Sequence, residues 1–297
     1  MREGSVSDHD RARATGRAEW SPRGGRPAEP PDGRRKMTPP VEQELNNGVP
    51  HSARIWNYWL GGKDNYEADR ELGQRMAEMF PQIVDIARAS RQFQARAVRH
   101  LAGEAGIRQF LDLGTGLPTA EATHEVAQAA APASRVVYVD HDPIVLAHAR
   151  ALLTSGPEGA TDYVHADLTD APTVLREAAR TLDLTQPVAV LLMSTLGHVA
   201  DDAQAAALVR SYLGALPSGS HLVLCDTIET PLTKAGSDEY ADGGAVPYVS
   251  RPQEVVASFA DGLELLSPGF GSITLWRPET PPTGDPVEQW GFVGVKP

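Results

Sequence analysis

Residues 110–119 read FLDLGTGLPT, an apolar strand pattern that runs into a glycine turn. The dinucleotide fingerprint G-x-G-x-x-G ends in a third glycine, which lets the following helix pack closely on the strand. Gly114 and Gly116 fill the first two positions, but Thr119 stands at the third. Pro118 is compatible with the first turn of a helix. Because a cofactor without a pyrophosphate does not need the third glycine, this stretch favours S-adenosylmethionine over NAD.

Three aspartates stand at or near the ends of successive strand patterns. Asp112 lies two residues before the first glycine, Asp140 ends RVVYVD, and Asp167 follows TDYVHA. The carboxyl ends of parallel strands meet at one edge of a sheet, so we expect the three side chains to lie close together. Asp140 is placed to accept hydrogen bonds from ribose hydroxyls, and Asp167 from an adenine amine. The alternative for each aspartate is a cap on the following helix.

Strand and helix patterns alternate from residue 107 onward, which predicts a largely parallel sheet covered on both faces. The apolar strand patterns cover residues 107–113, 135–140, 161–167, 188–193 and 221–227. The helical patterns lie near residues 119–131, 143–154, 171–182, 201–216 and 251–260. Residues 263–278 and 287–295 are two further strand patterns without a helix between them, so we expect an antiparallel end. The fold class is therefore α/β, with a Rossmann-like sheet of seven strands.

The composition of the chain divides it into three parts. Residues 1–40 contain 11 Gly or Pro, nine Lys or Arg and six acidic residues, which is typical of a disordered tail. Residues 41–105 have helical periodicity and form an N-terminal helical extension. Residues 106–297 form the cofactor-binding domain.

The helical extension contains a polar, glycine-rich segment, GGKDNY at residues 61–66. We expect Asp64 to cap the helix that follows and the segment to act as a lid over the cofactor. Tyr58, Lys63 and Arg91 are its candidate cofactor contacts. Trp56 and Tyr58 are also candidates for lining an apolar acceptor pocket, with Trp59 beside them. The loop at residues 236–250 is a second candidate for substrate contacts.

Charge and cysteine content exclude several classes of function. The net charge of −12 argues against nucleic acid as a partner, because phosphate contacts need clustered Lys and Arg. The single cysteine, Cys225, allows no intrachain disulfide and indicates a reducing cytoplasm. His spacing matches no metal motif, so we predict no metal. The longest purely apolar run, residues 188–193, is too short to cross a membrane.

Several segments together resemble an actinobacterial S-adenosyl methyltransferase family that was formerly a domain of unknown function. They are SARIWNYWLGGKDNYEADR (52–70), GIRQFLDLGTGLPT (106–119), HEVAQ (124–128), RVVYVDHDPIVLAHARALL (135–153), GLELLSPG (262–269) and WRP (276–278). The resemblance covers roughly residues 50–297 and implies a seven-stranded class I methyltransferase that uses S-adenosylmethionine. It places cofactor contacts at Asp112, Gly114, Gly116, Asp140, His141, Asp167 and Leu168. His141 stands where the family usually has Asn.

The chain departs from the family where substrate chemistry is expected. The family tends to read Leu-His-Phe after the fourth strand, whereas Leu196-Gly197-His198 displaces the histidine by one position. After the fifth strand the family often has Ser-His, and this chain has Cys225-Asp226. His198 still follows a strand end that faces the cofactor, where a general base for methyl transfer would lie. The alternative is a histidine that packs beside the next helix.

The resulting functional hypothesis is a methyltransferase that acts on the oxygen or nitrogen of a small-molecule acceptor. One alternative is a regulatory protein that binds S-adenosylmethionine or S-adenosylhomocysteine without turnover. Another is an NAD-dependent oxidoreductase, against which Thr119 argues. The sequence does not indicate the oligomeric state.

Overall fold

The computed structural model describes residues 48–118, 121–152, 154–281 and 284–297. The predicted disordered tail, residues 1–40, lies outside these ranges. The described residues belong to one compact unit that spans residues 46–297.

Within the described ranges, eight strands form one sheet in the order β3-β2-β1-β4-β5-β8-β6, with β7 paired to β8. The strands are β1 Gln109–Leu113, β2 Arg135–Asp140, β3 Ala160–His165, β4 Ala189–Met193, β5 His221–Thr227, β6 Glu264–Leu265, β7 Gly271–Ser272 and β8 Gln289–Val295. The first five are parallel, and β8 runs antiparallel to β5, β6 and β7. This confirms the predicted α/β class with an antiparallel end, and the two-residue β7 is an addition to the seven expected strands.

Nine α-helices surround the described part of the sheet. They are α1 Ser52–Trp59, α2 Glu67–Met79, α3 Gln82–Gly103, α4 Thr123–Ala130, α5 Pro143–Leu152, α6 Ala171–Ala178, α7 Asp202–Gly214, α8 Pro231–Asp242 and α9 Gln253–Ser258. Helices α1–α3 precede the sheet, as expected for an N-terminal extension. The predicted helices at 143–154, 171–182, 201–216 and 251–260 are confirmed, with ends shifted by a few residues.

Alternate residues of the central strands enter two separate apolar cores, one on each face of the sheet. Phe110 of β1 belongs to the core that also contains Ile55, Phe93 and other residues of α1–α4. Its neighbour Leu111 belongs to the opposite core, with side chains from α6, α7 and α9. Successive side chains of a strand point to opposite faces, so an unbroken apolar run is required where both faces are covered.

Three local expectations were wrong. Helix α2 is capped by Tyr66 instead of Asp64, because the buried carboxylate of Asp69 accepts from the Tyr66 backbone N–H at 2.8 Å. Much of the predicted loop at 236–250 is helical, since α8 begins at Pro231 with Thr230 as its cap. Residues 263–278 form only the short strands β6 and β7 and a turn of 3₁₀ helix, instead of one continuous strand.

Candidate active site

The carboxyl ends of the central strands open into a cavity of about 280 Å³. Its walls come from the loops after β1, β2, β3 and β4 and from helices α1 and α3. Eight of the ten predicted cofactor residues line it, namely Arg91, Asp112, Gly114, Gly116, Asp140, His141, Asp167 and Leu168. The structure therefore brings together the three strand-end aspartates and the glycine turn.

The turn after β1 requires glycine for two reasons. Gly114 and Gly116 have φ of 70° and 66°, a region that other residues rarely adopt. A Cβ at Gly114 would also overlap Cγ2 of Thr195, which approaches from the end of β4. The backbone N–H groups of Gly114 and Thr115 both donate to the carbonyl of Val139, at 2.8 and 3.2 Å. The turn is thereby tied to β2. Pro118 precedes α4 by several residues, so it lies in the connecting loop and not in the first helical turn as expected.

Asp112 is buried within β1 and is solvated by protein groups instead of water. Its Oδ2 accepts from Thr123 Oγ1 at 2.6 Å and from Gln94 Nε2 at 3.1 Å. Burial raises the pKa of Asp112, and the Thr123 hydrogen bond, the nearby charge of Arg91 and the Gln94 hydrogen bond oppose that rise. The carboxylate therefore connects the glycine turn to α3 and α4.

Asp140, at the end of β2, organises the opposite side of the turn. Its Oδ2 accepts from the Gly116 N–H at 3.0 Å, and its Oδ1 accepts from the Asp142 N–H at 2.9 Å. His141 is exposed, with Nδ1 at 3.7 Å from Asp140 Oδ1. Asp142, and not Asp140, caps α5, because its Oδ1 accepts from the second residue of that helix at 2.7 Å. The capping alternative for Asp140 is thus wrong.

His51 joins the extension to this edge and was not predicted from the sequence. Its Nδ1 accepts from the Ala53 N–H at 3.3 Å, as the N-cap of α1. The other ring nitrogen, Nε2, therefore carries the proton and faces Asp142 Oδ2 at 3.3 Å. Burial lowers the pKa of His51, the charge of Asp142 opposes that shift, and the ring lines the cavity.

Asp167 and Leu168 form the wall that follows β3. Asp167 is exposed, and its Oδ1 accepts from the N–H and the hydroxyl of Thr169 at 2.8 and 2.7 Å. Helix α6 is capped by Asp170 and not by Asp167, so the capping alternative is wrong here as well. The Leu168 carbonyl accepts from the hydroxyl of Tyr212 at 2.7 Å, which fixes the backbone of this wall.

Arg91 of α3, in the N-terminal extension, places its guanidinium group at the cavity wall. It donates to Gln94 Oε1 at 3.0 Å and to the Thr115 carbonyl at 3.4 Å. Its Nε and the hydroxyl of Thr195 are buried and have no hydrogen-bond partner among the described residues. Buried polar atoms in native proteins are nearly always paired, and both of these atoms belong to residues that line the cavity.

Tyr58 and Lys63 do not line the cavity, which corrects two of the predicted cofactor contacts. The ring of Tyr58 packs against Gly73 of α2, where a Cβ would come within 2.7 Å of Tyr58 Cδ1. Lys63 is exposed. Side chains two residues apart on a helix point in different directions. Of Trp56 and Tyr58 on α1, only Trp56 lines the cavity.

The GGKDNY segment is held against α1 by Asn57. The side-chain oxygen of Asn57 accepts from the Asp64 N–H at 3.1 Å and from the Asn65 amide at 2.9 Å. Residues 61–66 do not line the cavity, whereas Ser52, Ala53 and Trp56 of α1 do. The lid role of residues 61–66 stays a prediction.

His198 lies in a turn of 3₁₀ helix at Leu196–His198, directly after β4. Its Nδ1 is 2.9 Å from the carbonyl of Pro247. Because a carbonyl only accepts, Nδ1 carries the proton and Nε2 is the nitrogen with a free lone pair. Burial lowers the pKa of His198, which keeps the ring neutral near pH 7, although the hydrogen bond to Pro247 opposes that shift.

Arg251, a residue that sequence analysis missed, holds the backbone of this turn. Its side chain is only 1% exposed. It donates to the carbonyl of Leu196 at 2.9 Å and to the carbonyl of Val199, on the two sides of His198. The Val249 N–H also donates to the turn, at the Gly197 carbonyl, at 2.8 Å.

A buried carboxylate, Asp226 at the end of β5, balances the charge of Arg251 at 3.3 Å. It also accepts from the hydroxyl of Tyr248, whose ring contacts the His198 ring edge-on at 5.3 Å between centroids. Burial raises the pKa of Asp226 to about 6 against the Tyr248 hydrogen bond and the Arg251 charge, so it remains largely ionised at neutral pH. The only sign of the Arg251–Asp226–Tyr248 network in the sequence analysis was Cys225-Asp226, where the family often has Ser-His.

A second cavity of about 80 Å³ lies beside the first, between α1, α2, α8 and the ends of β4 and β5. Four residues line both cavities, namely Ser52, Trp56, Ser194 and His198. Trp59 and Tyr248 line only the second one. The two spaces therefore meet beside the imidazole of His198.

The described ranges contain neither a metal-binding cluster nor a membrane-spanning helix. No group of three His, Cys, Asp or Glu side chains is arranged there to hold a metal ion. In that part of the chain, no helix combines the length and apolar character that a membrane crossing needs. The expected absence of a metal stays a prediction.

The comparisons with known proteins identify the family. A sequence profile described as S-adenosyl methyltransferase matches residues 39–297. The chain belongs to this S-adenosyl methyltransferase family. A solved Streptomyces avermitilis protein of the DUF574 family is 43% identical, with a TM-score of 0.80 over 84% of this chain and 98% of that chain. A Thermobifida fusca protein, solved as a candidate methyltransferase, is 36% identical, with a TM-score of 0.79 over 88% and 99%.

The methyltransferase is thus similar to two actinobacterial proteins over nearly their whole length. A comparison with curated proteins found no match. The fold is that of a class I methyltransferase, the enzyme is S-adenosylmethionine-dependent, and the resemblance inferred from the sequence is confirmed. The family match also favours this function over the NAD-dependent oxidoreductase and the binding protein without turnover.

The glycine turn provides a test of the cavity geometry. Gly114→Ala should lower the free energy of unfolding by about 2–5 kcal/mol, the sum of backbone strain and overlap with Thr195. Gly106→Ala is the matched control, because Gly106 has φ of 75° and a Cβ added there would meet nothing within 4 Å. It should lose only about 1–2 kcal/mol. Urea unfolding measures both variants.

A second substitution, at Thr195, separates the steric overlap with Thr195 Cγ2 from the backbone strain at residue 114. Thr195→Ser removes Cγ2, so adding it to Gly114→Ala should restore about 1 kcal/mol or more of stability. If the double variant is no more stable than Gly114→Ala alone, Thr195 does not set the requirement for glycine.

Proposed function

We propose that the larger cavity binds S-adenosylmethionine through the predicted strand-end residues. Asp140 accepts from the ribose hydroxyls, while Asp167 and Leu168 lie beside the adenine. Arg91 pairs with the carboxylate of the methionine portion, and Asp112 faces its ammonium group. The observation that carries the proposal is the convergence of three strand-end carboxylates and the glycine turn on one cavity. The unpaired Nε of Arg91 supports the carboxylate contact.

The second cavity supports a small-molecule acceptor. Its volume of about 80 Å³ suits a small molecule, and it meets the cofactor cavity at four shared residues. The bound cofactor supplies an electrophilic methyl group on a sulfonium. The chain orients the acceptor, excludes water with the start of α1, and receives a proton at His198 Nε2. An oxygen acceptor needs this base, whereas a neutral amine can react through positioning alone, so we propose O- or N-methylation.

The division into domains, the absence of a nucleic-acid partner and the cellular location are also proposals. The break between the end of α3 at Gly103 and the start of β1 at Gln109 supports a helical extension at 41–105 and a cofactor-binding domain at 106–297. The net charge of −12 supports an enzyme without a nucleic-acid partner. The single cysteine, which is buried and free, supports a cytoplasmic location.

Asp140→Asn should weaken S-adenosylhomocysteine binding by about tenfold to a hundredfold. A charge-assisted hydrogen bond contributes about 1.5–3 kcal/mol, and each 1.4 kcal/mol is a factor of about ten. Asp170→Asn is the matched control, because Asp170 caps α6 and does not line the cavity. Titration calorimetry gives both affinities. Equal affinities for Asp140→Asn and the wild type would reject the ribose assignment.

His198→Gln should lower turnover by about 10²–10⁴ with a hydroxyl acceptor and leave cofactor affinity within about twofold. His165→Asn is the control, since His165 is exposed on β3 and lines neither cavity. Production of S-adenosylhomocysteine measures turnover. Loss of cofactor binding in His198→Gln would instead indicate a structural role.

The pH profile provides a second readout for His198. Its pKa lies below the usual 6.5, and only the neutral ring can take a proton. Turnover should therefore be constant at and above neutral pH and fall as the pH drops below that lowered pKa. This acidic limb should disappear in the residual activity of His198→Gln.

A further inference from the structure

The second cavity has features that define the chemistry of the acceptor. Its walls carry the side chains of Trp56, Trp59, Met76, Phe80, Ile83 and Tyr240. A cavity of about 150 Å³ in another protein holds one benzene molecule. A space of about 80 Å³ is about half of that, so a single ring would enter it only in part and the rest of the acceptor would lie at the junction with the cofactor cavity.

Four of the polar groups along the walls already form hydrogen bonds within the protein. Trp59 Nε1 donates to the Gly73 carbonyl at 2.9 Å, and Thr233 Oγ1 donates to the Ile228 carbonyl at 2.8 Å. The hydroxyl of Tyr248 is bound to Asp226, and that of Ser237 donates to a helix carbonyl at 3.1 Å. An acceptor that fills this space meets walls that are mainly apolar.

Polar side chains that could bind an acceptor lie at the end where the two cavities meet. His198 Nε2 has a lone pair, because Nδ1 donates to Pro247. The Ser194 hydroxyl, which lines both cavities, accepts from Gln289 Nε2 at 2.8 Å and lies 3.8 Å from Cys225 Sγ. An acceptor therefore needs one polar group, at the end that approaches the cofactor.

Charge is missing from the walls. Among the described residues, none that lines the second cavity is Lys, Arg, Asp or Glu. Burying a carboxylate, phosphate or ammonium group without a partner is strongly unfavourable. This argues against amino acids, phosphorylated metabolites and other acceptors that carry a charge away from the reacting end.

We propose that the acceptor is an uncharged, largely apolar molecule of about one ring, with a single phenol-like hydroxyl that is methylated. This inference rests on the proposed function, and it adds the acceptor class. The hydroxyl oxygen forms the new bond to the methyl carbon as the carbon–sulfur bond breaks. The electron pair of that bond stays on sulfur and neutralises the sulfonium, and the hydroxyl proton passes to His198 Nε2.

Two probes of similar size test the charge preference. We expect 4-methylphenol to bind to the full chain at least about tenfold more tightly than 4-hydroxybenzoate, which adds a carboxylate at the far end. Ligand-observed NMR measures both affinities without cofactor, and again with S-adenosylhomocysteine. Equal or tighter binding of 4-hydroxybenzoate, or no binding of 4-methylphenol, overturns the inference.

A pair of glycine variants tests the location. A Cβ at Gly236 of α8 would lie 3.4 Å from Met76 Cε, which is ordinary contact, and both residues line the second cavity. Gly236→Ala should therefore fold and raise the Kd of 4-methylphenol at least about threefold. Gly214→Ala, at a helical glycine with nothing within 4 Å, is the matched control and should leave that Kd unchanged. An unchanged Kd in Gly236→Ala overturns the assignment of this cavity.

The measurements also separate the two proposals. If 4-methylphenol binds in a way that depends on Gly236 but S-adenosylhomocysteine does not bind, the proposed cofactor site fails and the acceptor cavity stands. If S-adenosylhomocysteine binds while neither probe does, the acceptor class fails and the cofactor site stands.

Discussion

The site depends on the burial of one carboxylate, that of Asp112 in the central strand β1. A buried charge is tolerated only when protein groups replace its water, and here Gln94 of α3 and Thr123 of α4 provide hydrogen bonds. Arg91, also on α3, carries a positive charge near this carboxylate and opposes the rise of the Asp112 pKa. Helix α3 is therefore fixed across the carboxyl edge of the sheet, and the remaining walls of the cavity are arranged around it.

The extension and the sheet each provide half of the site. The sheet contributes the glycine turn and the strand-end aspartates, which are suited to a nucleoside. Helix α1 contributes Trp56, which lines both cavities, and its N-cap His51 approaches Asp142 at 3.3 Å. His198 lies at the junction because Arg251 holds the backbone on either side of it. In the proposed function, methyl donor and acceptor meet at this junction, next to the first helix.

Sequence reasoning succeeded where a residue type is dictated by a local rule. Gly114 and Gly116 need positive φ, and Asp140 ends a strand whose direction follows from β-α alternation. It failed where the answer depends on how helices rotate and pack. Tyr58 and Trp56 were both expected at the site, but the orientation of α1 brings only Trp56 to the cofactor cavity. Arg251 was missed because its partners lie 25 to 55 residues away in the chain.

The central claim is that cofactor and acceptor spaces meet beside His198. A crystal structure with S-adenosylhomocysteine and 4-methylphenol tests it most directly. The account predicts the ribose hydroxyls on Asp140, the sulfur at the junction formed by Trp56, Ser194 and His198, and the phenol oxygen within hydrogen-bond distance of His198 Nε2. A cofactor bound with its sulfur away from that junction, or a phenol bound outside the second cavity, would contradict it.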